Sequence, residues 1–286
     1  MVDSEEGLVR MENYFTENDR RLVFLHVPKT AGTTVTRVLA SQFSKDDIAP
    51  VANAQELAQL DDEQLLQYRF FAGHFDPGRF RALPGESQFI TVLRDPWQRV
   101  LSHIFFWKQQ AAIYSDAERP PHLQALLSMP MDEFLSSTDE RIATPRTNQL
   151  ENIYTHYYGL GTFFYSSKIG NLRSSADYDP SQLVRDALHR LTNFFAVTGF
   201  TDTLQSLFVA LNQLYGLDIP LDASDSRAQV NQTLKGRNKK DELLSLPGGE
   251  RAFEILSDMV ATDVELFERF EQRARCYVSP SQFSAK

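Results

Sequence analysis

Nine consecutive residues hold the densest chemistry in the chain: His26-Val-Pro-Lys-Thr-Ala-Gly-Thr-Thr34. Lys29 brings a full positive charge, Thr30, Thr33 and Thr34 bring hydroxyl donors, and Gly32 allows a tight backbone turn. An apolar run precedes this segment and helical spacing follows it. The amides of a helix N-terminus, those of Ala31 to Thr34, would therefore join the same cradle. Such a loop suits an anion. A Walker A loop sets its lysine after the second glycine, whereas Lys29 precedes Gly32, which argues against a standard ATP or GTP site. The plainer alternative is a strand–helix turn that leaves Lys29 in solvent.

A second cluster reads Thr91-Val-Leu-Arg-Asp-Pro-Trp-Gln-Arg-Val-Leu-Ser102. Arg94 ends an apolar run and can grip a phosphate with a bidentate fork, to which Ser102 adds a hydroxyl. Arg99 and Ser102 are three apart and share a helix face. An Arg94–Asp95 or Arg99–Asp95 ion pair that merely fixes the turn is the structural alternative, expected more readily of Asp95 and Arg99 than of Arg94. His74, in Phe70-Phe-Ala-Gly-His-Phe75, is the leading general base, since an imidazole titrates near neutrality. His26 lies inside an apolar run and reads as structural. His103 and His156 are weaker bases, and Glu12, Glu17 and Glu151 stay open. No metal site is expected: there is one cysteine, and no two of the six histidines lie within five residues of each other.

The elements that must position these groups alternate. Residues 21–27 read as a buried strand closed by Pro28, and Val35, Val38, Leu39 and Phe43 recur at helical spacing over about 33–43. Further strands are expected at 70–74, 88–93 and 194–197. Helices are expected at 54–67, at 96–107 with Pro96 in the first turn, at 183–191, at 202–215 behind Thr201 as N-cap, and at 250–274. The middle, 111–180, reads as patchily helical, and its aromatic clusters at 154–158 and 163–165 read as packing. This alternation predicts an α/β fold with a central, largely parallel sheet flanked by helices. Ligands in such folds sit at the carboxyl ends of the strands, which points to the residues just after 27, 74 and 93. No repeat or long linker interrupts the chain, so a single domain over 1–286 is expected, with peripheral tails at 1–20 and 277–286.

Composition limits the partners. Twenty-nine Lys and Arg against 38 Asp and Glu leave a net charge of −9, so any anion site is local and nucleic acid is not an expected partner. Cys276 is the only cysteine, which excludes an intrachain disulfide and fits a reducing compartment. Residues 1–6 lack the basic and apolar regions of a signal peptide. No apolar run approaches the ~18 residues of a membrane span. A cytoplasmic protein is the expectation.

Together the two loops resemble the 5′-phosphosulfate loop and the 3′-phosphate motif of sulfotransferases that use 3′-phosphoadenosine 5′-phosphosulfate (PAPS). Val27-Pro-Lys-Thr-Ala-Gly-Thr-Thr34 and Leu93-Arg-Asp-Pro-x-x-Arg-x-Leu-Ser102 are most similar to the family 2-like branch that includes heparan sulfate and chondroitin sulfotransferases. Fainter echoes are Asn148-Gln-Leu150, Asn231-Gln-Thr233 and Val197-Thr-Gly-Phe-Thr-Asp202, where the family more often ends in Glu. The likeness is specific over 22–107 and diffuse over 145–275.

The resemblance implies a P-loop-like fold and in-line transfer of a sulfuryl group from PAPS to an acceptor hydroxyl, on a carbohydrate or another small hydroxylated metabolite. The product would be adenosine 3′,5′-bisphosphate, with no metal. Lys29 would stabilise the leaving 5′-phosphate, Thr30, Ala31, Gly32, Thr33 and Thr34 would hold the phosphosulfate, and Arg94 and Ser102 would hold the 3′-phosphate. His74 matches the Gly-His position that carries a catalytic histidine in the hexuronic-acid 2-O-sulfotransferases. Two rivals remain: an atypical phosphotransferase using Asp95 and Mg²⁺, and a non-catalytic nucleotide-binding scaffold. The charge of −9 favours an uncharged or small acceptor. Positive potential is expected only around Lys29, Arg94 and Arg99, joined by Lys235, Arg237, Lys239 and Lys240 if residues 231–240 close over the nucleotide.

Overall fold

Four strands, β1 (Arg20–Leu25), β2 (Phe70–Gly73), β3 (Glu86–Leu93) and β4 (Val197–Phe200), run parallel, and β5 (Tyr277–Val278) pairs antiparallel with β4. The spatial order is β2-β1-β3-β4-β5. This is a computed structural model, and it describes residues 13–16, 20–161, 178–220, 238–273 and 276–279. The chain steps from β1 to β2 on one side, then crosses back to β3 on the other. A crevice therefore opens between β1 and β3 at their carboxyl ends, where such sheets bind ligands.

The sheet forms because its strands are apolar on both faces. Leu22, Val23, Phe24 and Leu25 are all fully buried. Successive residues point to opposite faces, so Leu22 and Phe24 enter one core with Ile90 and Val92, while Val23 and Leu25 enter the other with Phe71 and Leu93. Helices cover both faces, as a parallel sheet requires.

In chain order the helices begin with α1 (Gly32–Ala40), α2 (Ala54–Leu57), α3 (Asp62–Leu65), α4 (Pro77–Arg81) and α5 (Pro96–Ile113). Next come α6 (Pro121–Ser128), α7 (Met131–Ser136), α8 (Glu140–Leu150), α9 (Ile153–Leu160) and α10 (Pro180–Asn193). The last are α11 (Leu204–Tyr215), α12 (Lys239–Leu244), α13 (Gly249–Met259) and α14 (Ala261–Glu271). None is long and apolar enough to cross a membrane.

Several local expectations change. The acidic stretch 54–67 folds as two short helices because it carries two N-caps, Asn53 bonding the Glu56 amide and Asp61 bonding the Gln64 amide. The expected 250–274 helix breaks at Val260, where the Asn152 side chain accepts from the amides of Thr262 and Asp263 at 3.1 and 3.3 Å. The fourth strand lies at Val197–Phe200 rather than 194–197. Thr201 is not a helix cap; its amide donates to Leu93 O at 2.9 Å and ties two strand ends together. The described parts of the two tails are integral. Phe15 is 2% exposed in the core, and Val278 pairs with Val197 at the sheet edge. The 163–165 cluster and residues 231–237 lie outside the described residues.

Candidate active site

The loop after β1 is built under strain. Lys29 and Ala31 both take left-handed backbone, with φ of 75° and 62°, at a cost of roughly 1–2 kcal/mol each for residues with a Cβ. Gly32, expected to make the turn, does not take a positive φ. It is required for a different reason: a Cβ there would lie 2.0 Å from His26 Nε2. The ring of His26 lies against the start of α1, and only glycine leaves room for it.

No side chain caps α1, and the first amide to bond back is that of Val35, to Ala31 O at 3.0 Å. The amides of residues 31–34 thus have no intrahelical partner. Thr30 departs from its expected role. It is fully buried, and its hydroxyl donates to Val27 O at 2.8 Å, so it pins the loop instead of facing a ligand. Thr33 is exposed and Thr34 half-buried at the helix start.

Lys29 is not left in solvent. Its Nζ stands 3.9 Å from the centre of the Phe106 ring. Burial first, then the charges of Lys239 and Arg94, push its pKa down to about 8. Three cations therefore converge, and among the described residues no carboxylate lies within ion-pair distance of any of them. Asp95 partly offsets the charge of Arg94 and Glu242 that of Lys239, and like charges gathered this closely still favour an added anion. Lys239, at the start of α12, had no local signal in the sequence beyond its basic neighbours. Lys240 does not join; its Nζ sits 4.4 Å from the centre of the Phe253 ring.

Remote residues hold the loop after β3. Arg94 Nη1 donates to Lys29 O at 3.3 Å. The Tyr154 hydroxyl accepts from the Arg94 amide at 3.0 Å and donates to its carbonyl at 2.9 Å. Tyr154 is fixed in turn by Asp263, whose buried carboxylate accepts from the amides of Tyr154 and Thr155 at 3.0 and 2.8 Å and from the Thr155 hydroxyl at 2.9 Å. Asn152 caps α14 while Asp263 caps α9, a reciprocal clamp. Burial raises the Asp263 pKa against the opposing pull of Arg99 and these hydrogen bonds.

Asp95 caps α5 through the Gln98 amide at 2.7 Å, the structural role expected of it. Arg99 is not a surface cation, although its charge acts on Arg94 and His103. It is fully buried and donates to Gln149 O and Leu150 O at 3.0 and 3.1 Å, closing the carboxyl end of α8. Ser102 is on the second turn of α5 and 4% exposed.

The histidines divide sharply. His74 stands at the end of β2 with Nδ1 2.6 Å from His26 O. A carbonyl only accepts, so Nδ1 carries the proton and Nε2 keeps a lone pair. Burial lowers its pKa, and the hydrogen bond to His26 O opposes that. The His26 ring lies 4.5 Å from that of His74, stacks on Phe24, and has its pKa pushed down to about 3 by burial and then by His74. His156 is structural, with Nδ1 near Glu151 O at 3.1 Å and Nε2 near the Tyr178 hydroxyl at 3.0 Å. Glu12 and Glu17 lie outside the described residues.

A cleft of about 400 Å³ opens beside Lys29, lined also by Pro28, His103, Phe106, Trp107, His122 and residues of α8. Among the described residues no group of three His, Cys, Asp or Glu side chains is placed to hold a metal ion.

The mostly parallel α/β sheet thus carries, at the carboxyl ends of β1 and β3, an uncapped helix start and neighbouring cations, an arrangement that suits an anion. The sulfotransferase family model matches residues 12–267, and the chain belongs to that family. The matched range contains both loops, His74, the cleft and the Asn152–Asp263 clamp. A search of curated proteins finds no match.

Proposed function

We propose that the protein transfers a sulfuryl group from PAPS to the hydroxyl of an acceptor. The observation that carries this reading is that Lys29, Arg94 and Lys239 lie close enough to act on one another's charge, with Arg94 Nη1 on Lys29 O, beside the loop that leads into the uncapped start of α1. In the transfer, the acceptor oxygen bonds to sulfur as the bond from sulfur to the 5′-phosphate oxygen breaks. The hydroxyl proton passes to His74 Nε2, whose tautomer suits that task. Lys29 neutralises the charge that grows on the leaving phosphate, and the amides of residues 31–34 hold the sulfuryl oxygens. Arg94 and Ser102, aided by Lys239, hold the 3′-phosphate.

The test is to incubate the protein with PAPS and a panel of hydroxyl acceptors and follow release of adenosine 3′,5′-bisphosphate, in EDTA and in Mg²⁺. Acceptor-dependent release unaffected by EDTA is expected. Strict Mg²⁺ dependence with ATP as donor would identify a phosphotransferase instead. Tight bisphosphate binding with no transfer to any acceptor would identify a scaffold.

A further inference from the structure

We infer that the cleft between α5 and α8 is the acceptor site and that it takes a small, uncharged alcohol with a flat apolar face, oriented by His103. This rests on the sulfuryl-transfer reading and adds the substrate class. At about 400 Å³ the cleft falls at the small end of sites for low-molecular-weight ligands, roughly 300–1,000 Å³.

Its two walls differ in chemistry. On α5, His103, Phe106 and Trp107 follow one another at helical i, i+3, i+4 spacing and share a face. The rings of His103 and His122 both meet Trp107 edge-on, at 4.8 and 5.1 Å between centroids. This wall is aromatic and suits the flat face of a ring. On α8, Thr144, Asn148 and Gln149 offer a hydroxyl and two amides, donors and acceptors without charge. Arg99 holds the carboxyl end of α8 through Gln149 O and Leu150 O, and so fixes the spacing of the two walls.

Charge decides against a polyanion. Among the described residues no carboxylate and no arginine lines the cleft, and the one lysine there is Lys29, which stands on Phe106 and faces the donor in the proposed reaction. A sulfated chain would meet no counter-charge of its own on these walls.

His103 supplies the orienting contact. It is 3% exposed, and its buried Nδ1 has no hydrogen-bond partner among the described residues. Leaving an N–H unpaired in the interior is costlier than leaving a lone pair, so the proton sits on Nε2. Nε2–H is then the ring's donor to an oxygen of the acceptor. His74 shows the opposite tautomer, set by the His26 carbonyl. One histidine is arranged to take a proton and the other to give a hydrogen bond.

The chain has two tryptophans, so Trp97→Phe leaves Trp107 as the sole reporter, in the wall of the cleft. Its emission should change saturably with methyl β-glucopyranoside or benzyl alcohol and not with a sulfated uronate-containing disaccharide. In this background His103→Phe should weaken the uncharged probes roughly five- to tenfold, the loss of about one hydrogen bond. His103→Gln, whose amide can donate from a similar position, should restore binding to within about threefold. Asn148→Ala, on the opposite wall, should also weaken them.

Binding of the sulfated disaccharide at least as tightly as the uncharged probes would overturn the inference, as would silence of Trp107 toward all of them. Calorimetry with adenosine 3′,5′-bisphosphate on the same samples separates the two readings. Nucleotide binding without a probe response sinks the acceptor site alone, whereas a probe response without nucleotide binding sinks the PAPS site.

Discussion

In the loop after β1, the chemistry is held by neighbours: two left-handed residues, an uncapped helix start, and a glycine imposed by the ring of His26. In the loop after β3, Arg94 is held by Tyr154, 60 positions away, and Tyr154 by Asp263, a further 109 along the chain. The first loop stores backbone strain to aim amides and a lysine at one point. The second has ordinary backbone and takes its precision from a buried clamp. In the proposed reaction, the groups that act on developing charge belong to the strained loop and the adjoining end of β2, while affinity belongs to the clamped one.

Substitutions should expose that division. Lys29→Ala should have the largest effect, lowering kcat by roughly 10³-fold or more while binding of adenosine 3′,5′-bisphosphate changes only a few-fold, because the lysine matters most as charge grows on the leaving oxygen. Single-turnover kinetics beside calorimetry measure both quantities. A near wild-type kcat would remove Lys29 from the chemistry.

His74→Ala should follow, at roughly 10²-fold in kcat with nucleotide affinity unchanged. The pH profile of kcat/KM adds a sharper reading. His74 must be neutral to accept a proton, and its pKa lies below the ordinary 6.5 because it is buried. Activity should therefore rise with pH in the acidic range and level off below that value. Lys29 must stay charged, and its pKa is about 8. Activity should fall as pH rises through that point. His74→Ala should abolish the acid limb only, and Lys29→Arg should move the alkaline limb upward.

Arg94→Ala should act on affinity. Losing a charge-assisted contact to the 3′-phosphate corresponds to about 1.5–3 kcal/mol, or roughly 10- to 100-fold in Kd. Smallest is Tyr154→Phe, which removes both hydrogen bonds to the Arg94 backbone while keeping the ring. A loss of about fivefold in nucleotide affinity, with kcat nearly intact, is expected. A Tyr154→Phe enzyme that loses kcat more than affinity would erase the distinction between the two loops.

The same contrast explains what the sequence disclosed. The cradle around Lys29 was legible because its charge, glycine and helix start are consecutive, and the sheet because its strands are continuous apolar runs. The left-handed backbone at Lys29 and Ala31 was not, since neither residue type signals it. Thr30 looked like a ligand group by type alone, and the type of Arg99 left both a ligand and a structural reading open. Burial, a tertiary property, turned them to Val27 O and to the end of α8. The Asn152–Asp263 clamp joins residues more than 100 positions apart, and no local pattern marks it. The break at Val260 is its visible trace.

In the proposed function the two loops together bind a nucleotide bearing phosphates at both the 5′ and 3′ positions. Calorimetry of the wild-type protein in EDTA with adenosine 3′,5′-bisphosphate and with adenosine 5′-phosphate tests it most directly. The bisphosphate should bind at least roughly tenfold more tightly, and Arg94→Ala should erase most of that difference. Equal affinity for the two nucleotides in the wild type would contradict the account.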